Sequence, residues 1–240
     1  FLQVVQDQGL LERIGTVGVV PLGTGNDLVR GAGIPLDPQE AARVAVAGAT
    51  TERGLMVDDT GSVVVNVVHS GVAAEATAHA GEVKGVLGKA AYLWGALRAG
   101  LTSKGWHLRV SVDGEGIADD DRPELMVTLA LGSSVGGVTP VAPHARADDG
   151  QVEVVVAHGV GPLARVRFAL DLRKGRHVER EDVPLTSGRE VVVRADRDQD
   201  AFRVNTDGEV EEERVMSRSW RLLDQGWTLR VHEGSADRQG

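Results

Sequence analysis

Beyond Thr50 the chain reads as a succession of short apolar runs, each closed by Gly, Pro, Asp or Asn. Val63 to Val68, His107 to Val112, Leu125 to Leu131, Val152 to Ala157, Glu190 to Ala195, Phe202 to Asn205 and Trp227 to Val231 are all strand-like. Several alternate apolar with polar residues, as in Arg109-Val110-Ser111-Val112, the signature of a half-buried strand. So many short strands predict a mostly antiparallel sandwich or barrel. Glycine numbers 31 among 240 residues, roughly 13% against a usual ~7%, while aromatics are only 3%. The core must therefore be built from Val, Leu and Ala, with many tight turns. Two helices are expected among the strands, near Gly88 to Leu101 and from Pro162 to Lys174.

The first 53 residues follow another pattern. Leu2, Val5, Leu10 and Leu11 recur at roughly helical spacing, and Thr16 to Val20 reads as a short buried strand ended by Pro21. A glycine loop then leads into a helix that cannot outlast Gly33 and Pro35. Asp37, with Pro38 at the first helical position and Glu40 three residues on, opens an Ala/Val helix to about Ala47. Helix, strand, loop, helix, helix is an α/β fragment. The expected organisation is thus 1–53 as that fragment, 54–232 as the β-rich domain and 233–240 as a tail, α+β overall. The chain has no initiator Met, and Phe1 falls inside a helical pattern, so the expectation is a piece of a longer protein.

Whole classes of function drop out. A net charge of −9 opposes nucleic-acid binding, since neutralising phosphate needs a surplus of Lys and Arg. With no cysteine, disulfides, thiolate metal sites and cysteine nucleophiles are excluded, and a cytoplasmic setting is the default. The apolar runs are too short to span a bilayer, and the first residues lack the basic start of a signal peptide. His69, His79, His107, His144, His158, His177 and His232 show no metal-ligand spacing, and no serine stands in a Gly-x-Ser-x-Gly frame.

Three loops carry candidate chemistry. Gly23-Thr24-Gly25-Asn26-Asp27 follows a strand and precedes a helix, a context in which glycines let backbone N–H groups approach a phosphate. Asn26 or Asp27 equally suits plain helix capping. Val135 to Pro143, followed by Arg146-Ala147-Asp148-Asp149-Gly150-Gln151, is either a turn or a loop whose carboxylate and carbonyls take a hard cation. Asn205-Thr206-Asp207-Gly208-Glu209 has the hairpin alternative too, but its two carboxylates could share metal and proton-transfer duties. Asp119 to Asp121 and Glu211 to Glu213 read as solvated acidic loops. Between Glu82 and Lys104, Lys84, Lys89 and Arg98 are interleaved with Tyr92 and Trp94. That pattern suits a helix resting on an anionic membrane surface or an ordinary amphipathic helix.

Taken in order, Pro21-Leu22-Gly23-Thr24-Gly25-Asn26-Asp27, Gly33-Ile34-Pro35, Asn66 and Gly71, Gly136-Gly137 with Pro143, Asp149-Gly150 and Asp207-Gly208-Glu209 resemble the diacylglycerol kinase catalytic-domain family: bacterial lipid kinases and their sphingosine kinase relatives. The resemblance implies a Rossmann-like nucleotide domain, of which 1–53 is the C-terminal remainder, and a lipid-side β-sandwich. It also implies ATP-dependent transfer of the γ-phosphoryl group to a lipid hydroxyl. Gly23, Thr24, Gly25, Asn26 and Asp27 would contact the nucleotide. Glu209, with Asp207 beside it, would take the proton from the hydroxyl. Asp149 would hold Mg²⁺ with backbone oxygens of Arg146 and Gln151. The implied partners are a lipid with a free hydroxyl and, peripherally, the membrane surface, with a homodimer as a further expectation.

Two departures stand out. The family's Gly-Gly-Asp-Gly-Thr loop is absent, and where an Asp is usual some 11 or 12 residues before Asn66, this chain has Arg53-Gly54-Leu55. Asp58 and Asp59 are the nearest carboxylates. Two other readings are a non-catalytic lipid- or nucleotide-binding module and a kinase for a soluble acceptor, as in the related NAD kinases.

Overall fold

The computed structural model describes residues 1–23, 25–72, 74–75, 103–118, 121–137, 139–159 and 161–233. The expected helix at 88–101, Thr24, His79 and the tail beyond 233 lie outside the described residues. Two six-stranded antiparallel sheets form the body. The first runs, edge to edge, β3 (Val63–Val64), β2 (Met56–Asp58), β13 (Ser217–Leu222), β10 (Glu190–Ala195), β5 (Leu108–Val112) and β6 (Glu115–Ala118). The second runs β12 (Glu209–Val210), β11 (Val204–Thr206), β4 (Val67–Gly71), β7 (Glu124–Ala130), β8 (Val152–His158) and β9 (Leu185–Gly188).

Burial separates the two sheets. Along β10 and β13 every second residue is buried, so this sheet has one dry face and one wet face. Every residue of β7 and β8 is buried, because the second sheet is covered twice. Val127, Leu129, Val154 and Val156 face the first sheet's Val110, Val193, Trp220 and Leu222. On the opposite side Leu125, Val155 and Ala157 pack with Phe168 of helix α4 (Pro162–Leu172). That double cover is why Leu125 to Leu131 and Val152 to Ala157 read as unbroken apolar runs. Each buried Val side chain contributes about 1.5–3 kcal/mol, so many small residues do what few aromatics would.

The N-terminal segment holds α1 (Leu2–Asp7), α2 (Asp27–Gly31) and α3 (Pro38–Ala47). As expected, Asp37 caps α3, its Oδ1 accepting the N–H groups of Gln39 and Glu40 at 3.0 Å each, with Pro38 in the first turn. The last strand, β14 (Trp227–Val231), leaves the sandwich and pairs with β1 (Ala49–Arg53), from Ala49↔Val231 to Arg53↔Trp227. Its Trp227, Leu229 and Val231 share one apolar cluster with Val29, Ile34 and Ala41.

Thr16 to Val20 is not the buried strand the pattern predicts. Val17 makes one parallel bridge to Leu229, and Val20 is 38% exposed. Among the described residues only β14 pairs with this run, which leaves its other edge without a ladder. Glu211, read as part of a solvated loop, is instead half-buried and ion-paired at 2.6 Å to Arg218.

Candidate active site

The site begins with a break in the chain's expected geometry. Val63 to Val68 reads as one strand, yet β3 belongs to the first sheet and β4 to the second, with Val65 and Asn66 crossing between them. Leaving one ladder for another strands backbone donors that need partners. Asp207 supplies them: its Oδ2 accepts the Val65 N–H at 2.8 Å, and its Oδ1 accepts those of Asn66 at 2.9 Å and Val67 at 2.8 Å.

Asp207 can reach the crossing because it sits at a two-residue hairpin between β11 and β12, with Thr206 opposite Glu209. Asp207 and Gly208 both have positive φ, 51° and 98°, as a type I′ turn requires. The Asn205 side chain steadies the turn by accepting the Gly208 N–H at 3.0 Å. Both oxygens of Asp207 are thus committed to backbone, whereas Glu209 is exposed. Glu209 lines a cavity of about 740 Å³ together with Val17, Val19, Leu28, Val63 and Trp227. Of the two carboxylates in this turn, that of Asp207 is bonded to the sheet crossing, and that of Glu209 faces the cavity.

A second cavity of about 200 Å³ adjoins the first and shares Leu28 and Val65 with it. Asn66, Gly132, Ser133, Arg146, Asp148 and Arg53 line it. The Asn66 carbonyl accepts the N–H groups of Leu131 at 2.8 Å and Gly132 at 3.1 Å, and its Nδ2 donates to the Ser134 carbonyl at 3.2 Å. A Cβ at position 132 would run into Asn66 Oδ1 and force that side chain to move. His69, one turn of the pleat beyond, is buried and donates to or accepts from Thr128 Oγ1 through Nδ1 at 3.0 Å. Burial pushes its pKa down to about 4.

The two glycine loops meet. Asp27 neither caps α2 nor approaches a carboxylate cluster. Its Oδ1 accepts the Gly137 N–H at 2.6 Å, and Arg30 Nε donates to the Gly25 carbonyl at 3.1 Å. Asn26 adopts a left-handed conformation, φ 55°, and its side chain donates to the Gly23 carbonyl at 2.9 Å. Gly23, Gly25, Asn26 and Asp27 line neither cavity; the helix they open does, through Leu28.

Asp149 stands apart from Glu209, in an exposed turn entering β8 in which its Oδ1 accepts the Gln151 N–H at 2.9 Å. The Arg146 side chain turns to Asp148, with Nε 3.2 Å from Oδ1. Among the described residues no three His, Asp or Glu side chains gather as a metal site. A cation here would rest on one carboxylate plus carbonyl oxygens and water, a donor set that suits Mg²⁺. Asp58 and Asp59 both lie against Arg218. Asp58 is wholly buried against Arg218, Oδ2 to Nη1 at 3.0 Å, while its Oδ1 accepts from Thr60 and Ser62. Asp59 Oδ1 lies 3.6 Å from Arg218 Nε.

The molecule is thus an antiparallel sandwich joined through its last strand to the end of an α/β segment, with a carboxylate hairpin on the wall of the larger cavity. The crystal structure of a diacylglycerol kinase from Bacillus anthracis has the same fold, with a TM-score of 0.68 and 21% identity over 93% of this chain and 71% of that one. Residues 66–219 match the YegS C-terminal NAD kinase beta sandwich-like domain, and residues 3–57 the diacylglycerol kinase catalytic domain. The chain belongs to the diacylglycerol kinase catalytic-domain family, with a YegS-type sandwich. A "probable lipid kinase YegS-like" protein of Chromohalobacter salexigens is 31% identical over 160 residues, which are 65% of this chain and 49% of that protein. The diacylglycerol kinase of Bacillus subtilis is 26% identical over 211 residues, 86% of this chain and 67% of that protein. The chain thus spans about half the length of the first of these relatives.

Proposed function

We propose that this chain carries the acceptor side of an ATP-dependent lipid kinase, which transfers the γ-phosphoryl group to a lipid hydroxyl. The observation that carries the reading is the placement of Glu209. It is an exposed carboxylate on the wall of a 740 Å³ cavity whose lining sets Val17, Leu28, Val63 and Trp227 beside Gln3, Ser62, Thr206 and Glu211, held there by the three bonds from Asp207 to the sheet crossing. The apolar wall takes the acyl part of the lipid. Glu209 orients the free hydroxyl and accepts its proton as the oxygen attacks phosphorus, the role a positioned carboxylate fills in phosphoryl transfer.

The loop Gly23 to Asp27, with Thr24, contacts the nucleotide and is anchored by Asp27 on Gly137. Asp149, with the carbonyls of Arg146 and Gln151, would hold Mg²⁺, which would supply a positive charge at the loop entering β8. Access to a lipid acceptor requires peripheral contact with a membrane surface. The test is ATP-dependent labelling of diacylglycerol by the full-length protein. Glu209→Gln is expected to lower the rate by about 10²-fold or more, and undiminished labelling would overturn the assignment of Glu209.

A further inference from the structure

Arg53 closes β1 opposite Trp227, and only 6% of its surface is exposed. Its Nε and Nη2 are shut off from water and have no hydrogen-bond partner. A guanidinium carries five donors and cannot shed its charge in ordinary conditions, so a buried one without acceptors is held at an energetic penalty unless an anion joins it. Burial pulls its pKa below the usual guanidinium value, and Asp148 pulls the other way. Yet the Asp148 carboxylate is taken by Arg146, with Oδ1 3.2 Å from Nε and Oδ2 3.5 Å from Nη2.

The space beside Arg53 is the 200 Å³ cavity, which also presents Asn66 and Ser133. Asn66 Nδ2 uses one hydrogen on the Ser134 carbonyl and has a second to give; Ser133 brings a hydroxyl. With Arg146 at the rim, the lining carries two cations against one carboxylate. The volume falls below that of pockets for drug-sized ligands, ~300 Å³ and upward, and suits one small ion or one terminal group of a larger molecule.

We propose that Arg53, with Asn66 and Ser133, forms a binding site for a phosphate-type oxyanion. Of the guanidinium fork, Nη1 is the nitrogen not shut off from water, and it is the donor that reaches such an anion. Free phosphate, the terminal phosphate of a nucleotide and a phosphorylated lipid headgroup share this chemistry.

Thermal unfolding of the full chain in inorganic phosphate, against chloride at equal ionic strength, tests the site. Wild type should gain Tm with phosphate in a saturable way, whereas Arg53→Met should match or exceed wild type without phosphate and lose the response. Arg53→Lys keeps the charge without the fork and should bind phosphate about 10-fold more weakly. If the Met variant does not fold, the Lys comparison decides, and unchanged phosphate affinity overturns the proposal. So do a full response in Arg53→Met, or a wild-type response no greater than in chloride. Parallel titrations with ATP and with glycerol 3-phosphate separate the sources: the one whose affinity falls most on Arg53→Lys is the occupant. The readout is independent of turnover, so an inactive protein with an Arg53-dependent phosphate response would sink the kinase reading alone.

Discussion

Replacing Asp207 separates its positioning role from any chemical one. Three backbone N–H groups donate to its carboxylate at 2.8, 2.8 and 2.9 Å. Hydrogen bonds to a charged group are worth ~1.5–3 kcal/mol each, but the residue is exposed and water can replace a lost acceptor, so the sum shrinks to about 2–3 kcal/mol. Asp207→Ala would also force a side chain without local hydrogen bonding into φ 51°, adding roughly 1 kcal/mol. The expected loss for Asp207→Ala is therefore about 3–4 kcal/mol. Asp207→Asn tolerates the turn and keeps one acceptor oxygen for Asn66 and Val67, but it removes the charge from all three bonds and sets an NH2 against the Val65 N–H, so its cost should fall below that of Asp207→Ala, at about 1–3 kcal/mol. Urea unfolding gives the totals, and amide hydrogen exchange should show lost protection at Val65, Asn66 and Val67 together. Wild-type stability in Asp207→Ala, or protection unchanged at those three amides, would refute the reasoning.

Three further outcomes follow from the same geometry. His69 is held neutral, its folded pKa of about 4 lying below the ~6.5 of an unfolded histidine. The unfolded chain therefore binds more protons in this window, and unfolding free energy should fall as pH drops from 6.5 to 4, by up to ~1.4 kcal/mol per pH unit. His69→Gln should flatten that slope in denaturant titrations, and identical slopes would count against it. Arg218→Ala strands the buried Asp58 and should cost about 3–5 kcal/mol by denaturant unfolding; a loss under about 1 kcal/mol would mean the pair is not buried as described. Gly132→Ala drives a methyl group into Asn66 Oδ1 and should lower stability by roughly 2 kcal/mol, so a wild-type melting curve would contradict the close approach.

The sandwich was legible where burial followed a simple period, and illegible where a charge took an inward position. Ser217–Leu222 escaped the reading because its inward residues are Arg218, Trp220 and Leu222: an arginine in the apolar register breaks the alternation unless its partners are known. Glu209–Val210 and Met56–Asp58 are two and three residues long, below any periodic signal. The Asp-Gly pair at Asp207 announced a hairpin correctly, but its bonds to Val65, Asn66 and Val67 span some 140 positions, and no local pattern records them. The same holds for Asp27 and Gly137. Both loops stood out by composition, and only the fold joins them. Arg53 drew notice as a departure from a family pattern, whereas its burial depends on pairing with Trp227.

That pairing also sets an order of events during synthesis. Asp37, α3 and the glycine loop leave the ribosome early, yet their apolar faces find Trp227, Leu229 and Val231 only when β14 has been made. Val17 likewise gets its backbone partners from Thr228 and Arg230. The sandwich can close on itself beforehand, because its strands β2 to β13 are already out. The cleft wall carrying Leu28 and Arg53 is therefore fastened last, by non-local contacts that cannot form sooner. A nascent chain released before Gly226 would hold a finished sandwich beside an unclosed N-terminal segment, exposing Val29, Ile34 and Ala41 to whatever chaperone or protease is near.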